Sequence, residues 1–371
     1  MSEEVVMTQA PSPKRKKNGK KKMSKKKKLL IALLIVVIIL IIAAITVTAV
    51  IFHYIGKVKV EDPKTAFPKV DSVVDDDLTS EPDSPKEVID EAKKRIDENL
   101  ANKATEIVSD DNVINVLLIG TDSRGNDDRG RSDSMILVSV NKNTKQVVMT
   151  SFLRDIYLYI PDTEYTRLNH AYAYGGPDLL IQTLESNFKV RIDRYVRVNF
   201  FSFIDVVDEV GGVEIDVTDE EVEYVNTYLK EINRLEGMSE TDSQLSSGGK
   251  QNLNGRQALA YSRIRYIGTD FQRTQRQRTV LETLFKKMKG LSMGELSDLL
   301  DVLLPQLATN MTEGEMFSFV VDSPSYLSYE VIQNRIPVDG SWDYMTVNSM
   351  SVIGVDFDEN IDSLRKTIYG K

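Results

Sequence analysis

The chain has 371 residues, a formal net charge of −9, no cysteine, and only two histidines, His53 and His170. Disulfides and thiolate metal sites are therefore excluded, and a histidine triad or a multi-histidine metal centre has almost nothing to be built from. Eleven basic residues against Glu3 and Glu4 give residues 1–28 a charge of +9 and residues 29–53 carry none, so residues 54–371 sum to −18, too acidic to bind nucleic acid by general attraction to phosphate.

The first element in chain order is a membrane span. Leu29 to Phe52 is a run of 24 residues with no charge, proline or glycine. As a helix it is roughly 36 Å long, enough to cross a hydrocarbon core of about 30 Å. Residues Lys14 to Lys28 carry eleven basic side chains and no acid. Positive charge stays on the cytoplasmic side, so the chain reads as a single-pass type II protein of the cell membrane. A cleaved signal peptide would have a shorter apolar region and small residues at its end; Val50-Ile51-Phe52-His53-Tyr54 is a poor match. The expected organisation is a basic cytoplasmic tail at 1–28, a transmembrane helix at 29–53 and an extracytoplasmic spacer at 54–84. A helical stalk or accessory segment at 85–110 follows, then an extracytoplasmic catalytic domain at 111–371.

Ser84-Pro85-Lys86-Glu87 predicts a helix start, with Ser84 as N-cap and Glu87 closing a capping box. Val88, Ala92, Ile96 and Leu100 then make one apolar stripe to about residue 103. Val113 to Ile119 is a buried-strand run that ends at Gly120. Residues 135–140 and 146–152 read as a hairpin across Asn141-Lys142-Asn143-Thr144. Helices are expected at 168–174 and 177–188, a strand at 213–217, and further helices at 254–262, 270–289, 294–304 and 312–320. Strands interleaved with helices argue for an α/β or α+β architecture.

Two segments carry the chemistry. One is Gly120-Thr121-Asp122-Ser123-Arg124 with Arg129, Arg131 and Asp133; the other is Tyr261-Ser262-Arg263-Ile264-Arg265-Tyr266 with Asp270, Arg273, Arg276, Gln277 and Arg278. Asp122 follows a strand end, where open sheets bind ligands. Residues 122–133 and 263–278 hold eight arginines and no lysine. Arginine is selected over lysine where phosphate needs planar, multi-donor recognition. Arg263 and Arg265 share a face in extended backbone, and Arg273 and Gln277 share a face of a helix. Arg154 adds one more guanidinium at a strand end. The reading is a polyphosphate site: two carboxylates suit Mg²⁺, which binds one or two carboxylates and substrate phosphates. Phosphoryl transfer needs positioning and charge more than a nucleophilic side chain. A membrane tether points to a lipid as the phosphate donor.

These motifs resemble the LytR-CpsA-Psr (LCP) family of Gram-positive cell-wall proteins. The resemblance rests on residues 115–124, Arg131-Ser132-Asp133-Ser134-Met135, Ser151-Phe152-Leu153-Arg154-Asp155, residues 168–177, 210–214 and 258–266, and 270–277, in order. It implies an α/β/α sandwich with a central mixed β-sheet and an apolar pocket for a polyprenyl chain. It implies transfer of a glycopolymer, such as wall teichoic acid or capsular polysaccharide, from undecaprenyl pyrophosphate to peptidoglycan. Asp122 and Asp133 would hold Mg²⁺, or Mn²⁺ in its place. Arg131, Arg154, Arg263, Arg265, Arg273 and Gln277 would bind the pyrophosphate, with Asp122, Arg154, Arg263 and Arg265 at the reacting centre. The competing expectation is a non-catalytic, membrane-bound polyprenyl-phosphate binder that regulates envelope genes. No general base is evident, and residues 290–371 carry no motif of this kind.

Overall fold

The computed structural model describes residues 44–62, 67–73, 78–102, 106–121, 130–264, 270–288, 290–326 and 328–370. The chain divides into two units between Val50 and Ile51. Of the first unit, residues 44–50 are described, and they are helical. No helix among the described residues is long and apolar enough to cross a membrane. The basic tail and most of the expected span Leu29–Phe52 lie outside the described residues.

In the second unit the strands are β1 (Lys59–Val60), β2 (Val113–Thr121), β3 (Ser132–Asn141), β4 (Gln146–Phe152), β5 (Tyr157–Tyr159), β6 (Tyr165–Arg167), β7 (Arg194–Asn199), β8 (Val213–Val217), β9 (Gly249–Leu253), β10 (Ala308–Thr309), β11 (Glu330–Ile336), β12 (Trp342–Val347) and β13 (Met350–Val355). The helices are α1 (Lys86–Ala101), α2 (His170–Phe188), α3 (Phe200–Glu209), α4 (Asp219–Leu235), α5 (Gly255–Ser262), α6 (Asp270–Met288), α7 (Met293–Leu303), α8 (Glu313–Tyr326) and α9 (Phe357–Leu364). One mixed sheet runs in the order β1-β10-β7-β2-β3-β4-β11. β2 lies at its centre, parallel to β7 and antiparallel to β3. The expected hairpin is β3–β4, and the Asn141 side chain closes its turn by accepting from the backbone N–H groups of Asn143 and Thr144.

Side chains alternate across the sheet, and the alternation builds two cores. Leu117 and Ile119 of β2, Met135 and Leu137 of β3 and Tyr195 of β7 pack on one face with α1, α2, α9 and the β12–β13 hairpin. Ile114, Val116 and Leu118 point the other way, towards Met311 and Met316 at the start of α8. Leu118, Ile136, Val196 and Val198 on that second face also meet α3, α5, α6 and α7. Each fully buried aliphatic side chain in such a strand contributes about 1.5–3 kcal/mol. Helices therefore cover both faces of a mixed sheet, as expected.

The two helices expected at 168–174 and 177–188 are the halves of α2. They meet at a kink where Gly176 takes φ +64° and Pro177 follows. A Cβ on Gly176 would lie 2.3 Å from the Phe67 ring, so the close approach as well as the backbone requires glycine.

Two expectations are corrected and a third is decided between its alternatives. Ser84 does not cap α1, whose N-cap is Pro85. Its hydroxyl accepts from the Thr346 N–H and its own N–H donates to the Thr346 carbonyl, so pairing with β12 takes it from the helix. Of the two readings of 85–110, the accessory segment docked on the domain holds and the free stalk does not: Ile96 is buried in the core, and Asn99 Nδ2 donates to the Asn187 carbonyl at 2.8 Å. Residues 54–84 are not only a spacer either. β1 pairs in parallel with β10, Phe67 enters the core, and Leu78 bridges Met350.

Candidate active site

Arg154 stands just past the end of β4, in a turn held from three sides. Leu153 N–H donates to the Ile336 carbonyl, Asn169 N–H to the Arg154 carbonyl, and Ile353 N–H to the Asp155 carbonyl, at 2.9, 3.1 and 2.9 Å. The Arg154 side chain is buried. Its Nη1 donates to Asp133 Oδ1 at 2.9 Å, and its Nε lies 3.3 Å from Asp155 Oδ1. Arg167 Nε is 3.7 Å from the same Asp155 oxygen. The backbone fixes Arg154, and two carboxylates flank its guanidinium. Such a cation is pre-organised to donate a charge-assisted hydrogen bond to an oxyanion without moving.

A second group comes from α5 and α6. The extended backbone expected around Arg263 and Arg265 does not hold at Arg263. Its φ and ψ are −93° and −6°, because its N–H continues the α5 ladder onto the Leu259 and Ala260 carbonyls. Arg265 lies outside the described residues, as do Asp122, Arg124 and Arg129. Arg263 is set by α4 instead: its Nη2 is 3.5 Å from Glu231 Oε2, and its guanidinium lies 5.4 Å over the Tyr228 ring. Arg273 is buried on α6, one turn before Gln277. Arg276 does structural work: its Nε donates to Glu221 Oε1 at 2.8 Å and its Nη1 to the Ile264 carbonyl, which ties α6 to the capping box of α4. Arg131 is half-buried immediately before β3.

Between the second face of the sheet and α3, α5, α6 and α7 is an apolar pocket of about 310 Å³. Its wall includes Val280, Leu284 and Met288, so that part of the α6 stripe lines a cavity. Leu179, Leu180, Leu184 and Phe188 of α2 lie in the core under the opposite face. Gly120, Ser134, Ser262 and Gln277 are also in the wall. Each marks a site position: Gly120 is two residues before Asp122, Ser134 follows Asp133, Ser262 precedes Arg263, and Gln277 is itself one. The pocket wall therefore includes Gln277 and the chain neighbours of Asp133 and Arg263.

Among the described residues no group of three or more histidines or acids is placed to hold a metal ion. Asp133 is the one described carboxylate of the expected pair, with Oδ1 on Arg154. That donor set does not suit a metal needing three protein ligands. It fits Mg²⁺, a hard cation that takes one or two carboxylates and completes its shell with phosphate oxygens and water.

Reading the sequence missed Arg167, Glu231 and Tyr228 as partners of this region. Only Arg167 had a signal, its place in a run leading to Asn169 and His170. His170 is buried, with Nδ1 3.0 Å from the Thr166 hydroxyl, and is a packed residue.

Residues 82–366 match the LytR_cpsA_psr family. The chain is 34% identical over 259 residues to the polyisoprenyl-teichoic acid–peptidoglycan teichoic acid transferase TagU of Bacillus cereus, covering 68% of this chain and 78% of that protein. It is 34% identical over 223 residues to TagT of Bacillus subtilis, which carries the same transferase name, covering 59% of this chain and 66% of that one. Its fold resembles that of TagT bound to LIIa-WTA, with a TM-score of 0.56 and 27% identity over 72% of this chain and 94% of that one. It also resembles TagT with bound octaprenyl pyrophosphate lipid, with a TM-score of 0.52 and 26% identity over 71% and 95%. The chain belongs to the LytR-CpsA-Psr family.

Proposed function

We propose that the chain is a phosphotransferase that moves a glycopolymer, wall teichoic acid or another secondary wall polysaccharide, from an undecaprenyl-pyrophosphate carrier to peptidoglycan. One observation carries this reading: an apolar pocket of about 310 Å³ is lined by Gln277 and by Ser134 and Ser262, the chain neighbours of Asp133 and Arg263. An isoprenoid suits the apolar wall, and a pyrophosphate suits the guanidinium groups beside it. The names of the relatives, teichoic acid transferases, and the octaprenyl pyrophosphate bound in TagT support it.

In this reading a peptidoglycan sugar hydroxyl attacks the sugar-side phosphorus. A new oxygen–phosphorus bond forms and the bridging oxygen–phosphorus bond breaks. Polyprenyl phosphate leaves with the bond electrons, and the hydroxyl proton passes to solvent. Arg131, Arg154, Arg263, Arg265, Arg273 and Gln277 bind the phosphate oxygens and stabilise the charge that grows on them. Arg154 needs little reorganisation, since its turn is already clamped. Asp122 and Asp133 would hold Mg²⁺, which supplies further neutralisation of the pyrophosphate. The chain works from the outer face of the cell membrane as a single-pass type II protein, which keeps it in the bilayer of its lipid donor.

The test uses the full chain in lipid nanodiscs with a lipid-pyrophosphate glycopolymer and peptidoglycan. Covalent, Mg²⁺-dependent transfer is expected. Donor binding without transfer, by protein shown to be folded, would overturn the enzymatic reading in favour of a binder.

A further inference from the structure

The apolar run Leu29–Phe52 ends inside the folded domain. Its last two residues belong to the second unit, residues 51–55 are helical, and β1 begins at Lys59. Phe52 stacks on Phe317 of α8, with ring centroids 5.2 Å apart and planes 11° apart. Ile51, Ile55 and Val58 pack with Met311, Met316 and Phe317. The Tyr54 and Ser297 hydroxyls share a hydrogen bond of 2.6 Å, Lys57 pairs with Asp301, and the Lys59 N–H donates to the Leu307 carbonyl at 3.0 Å. These contacts take residues 54–59 in order along α7 and the turn after it, so the two segments run side by side in the same direction. Leu303 and Leu307 also line the apolar pocket, which puts one of its walls a single hydrogen bond from this segment.

Both helices carry apolar side chains past the junction. Met293 lies one turn before Ser297, on the stripe of Ser297 and Asp301 and about 6 Å further back along α7. It therefore stands beside the end of the apolar run, and it is 82% exposed. Val320 and Val321 follow Phe317 by three and four residues, so they share the face that meets Phe52. Both are exposed, as is Phe52. The chain itself says what covers this face. A helical run of 24 residues is about 36 Å long against a hydrocarbon core of about 30 Å. A span that begins at Leu29 thus reaches the outer interface near its last residues. Tyr54 stands where amphipathic rings mark that interface. With no spacer after the run, the helices packed on Phe52 and Tyr54 are at the interface too.

We propose that Phe52, Met293, Val320 and Val321 form a membrane-contact face that seats the domain in the outer leaflet, with the pocket wall at Leu303 and Leu307 held next to it. The proposal rests on reading Leu29–Phe52 as a span and needs no assumption about the reaction. Every charged residue of α7 and α8 is acidic, so anionic headgroups do not attract this face. The contact is apolar insertion, and added salt should not release it.

The chain has no cysteine, so single substitutions give single labels. Met293→Cys, Val320→Cys and Val321→Cys, each carrying an environment-sensitive dye, are measured on the full chain in vesicles of phosphatidylethanolamine and phosphatidylglycerol. Nitroxides on the lipid acyl chains should quench all three labels, placing them about 5–10 Å into the headgroup boundary. Iodide in the water should quench them little. Met238→Cys, exposed beyond the end of α4, should show the reverse. Val47→Cys, within the apolar run, should be quenched by the acyl-chain nitroxides. If Val47→Cys is quenched from the lipid while the three α7 and α8 labels are quenched only by iodide, the contact face is overturned and the span stands. No lipid quenching at Val47→Cys overturns the span, and the face with it. Equal lipid quenching at Met238→Cys would mean that no particular face is seated, and overturns the proposal too.

Discussion

Arg154 Nη1 and Asp133 Oδ1 meet at 2.9 Å with their side chains only 5% and 11% exposed, so one of the proposed metal ligands is also the partner of a phosphate-binding arginine. This relationship separates two effects of mutating Asp133. Asp133→Ala leaves Arg154 buried without that carboxylate and should cost about 3 kcal/mol of stability. Asp133→Asn keeps an acceptor oxygen for Nη1 and should cost less. Both should lower transfer by about 100-fold or more, the scale of losing one pre-organised electrostatic group. Thermal unfolding beside a transfer assay checks this. Near wild-type transfer by Asp133→Asn would remove Asp133 from the reacting centre.

Arg263 presents the opposite case. Its partners, Glu231 at 3.5 Å and the Tyr228 ring, hold a side chain that is about a quarter exposed. Arg263→Ala should therefore cost under about 1 kcal/mol of stability and still lower transfer by about 100-fold. Tyr228→Leu removes the ring beneath the guanidinium without touching its charge. It should lower kcat more than it raises KM, because a loosened guanidinium still meets the bound phosphate but in a less fixed position. If Arg263→Ala unfolds several degrees early with unchanged kcat, its role is structural.

The strands were readable because burial on both faces leaves continuous apolar runs: Val113 to Ile119 lies in β2, which continues through Gly120 to Thr121, and its odd and even apolar residues feed different cores. The Arg residues were readable as a class because no lysine interrupts them. Their partition was not. Arg276 differs from Arg273 and Gln277 only by what α4 presents to it, and Glu221 is 55 residues away in sequence. The same long-range pairing defeated Ser84, whose local signal for a helix cap was sound but lost to Thr346. Leu179 and Leu284 stand on similar stripes and both are buried in a core, yet Leu284 also borders a pocket; side-chain periodicity cannot tell a filled space from an empty one.

The pocket makes a prediction about the lipid. Leu281 is in its wall and only partly buried, so a larger side chain there can grow into the cavity without displacing packed core. Leu281→Trp should raise KM about tenfold for a long polyprenyl donor, roughly two buried methylene groups of binding. It should leave a donor with a two-isoprene tail little changed. Transfer assays with the two donors check this, and equal effects on both would separate the cavity from lipid binding.

The last prediction concerns the link between the segment after residue 58 and the sheet. Glu61 accepts from Arg197 Nε and Nη2 at 3.0 and 2.7 Å, with both side chains almost fully buried, and Lys59 is 2.9 Å from the same carboxylate. Burial by itself raises the Glu61 pKa, but the hydrogen bonds and charges of Arg197 and Lys59 outweigh it and hold the group below its ordinary 4.5. A carboxylate with a depressed folded pKa stabilises the fold above the unfolded value and loses that contribution as pH falls through the folded one. Stability from this group is therefore complete above about pH 5 and declines below 4.5. Glu61→Gln leaves Arg197 buried against a neutral amide and should cost about 3 kcal/mol at pH 7. The variant should also show a shallower loss of stability on acidification, since the proton uptake at position 61 is gone. Denaturant unfolding of both proteins at pH 7, 5 and 4 measures the difference, and the gap between them should narrow at pH 4. A gap that stayed constant with pH would mean that Glu61 contributes by shape and hydrogen bonding and not by its charge.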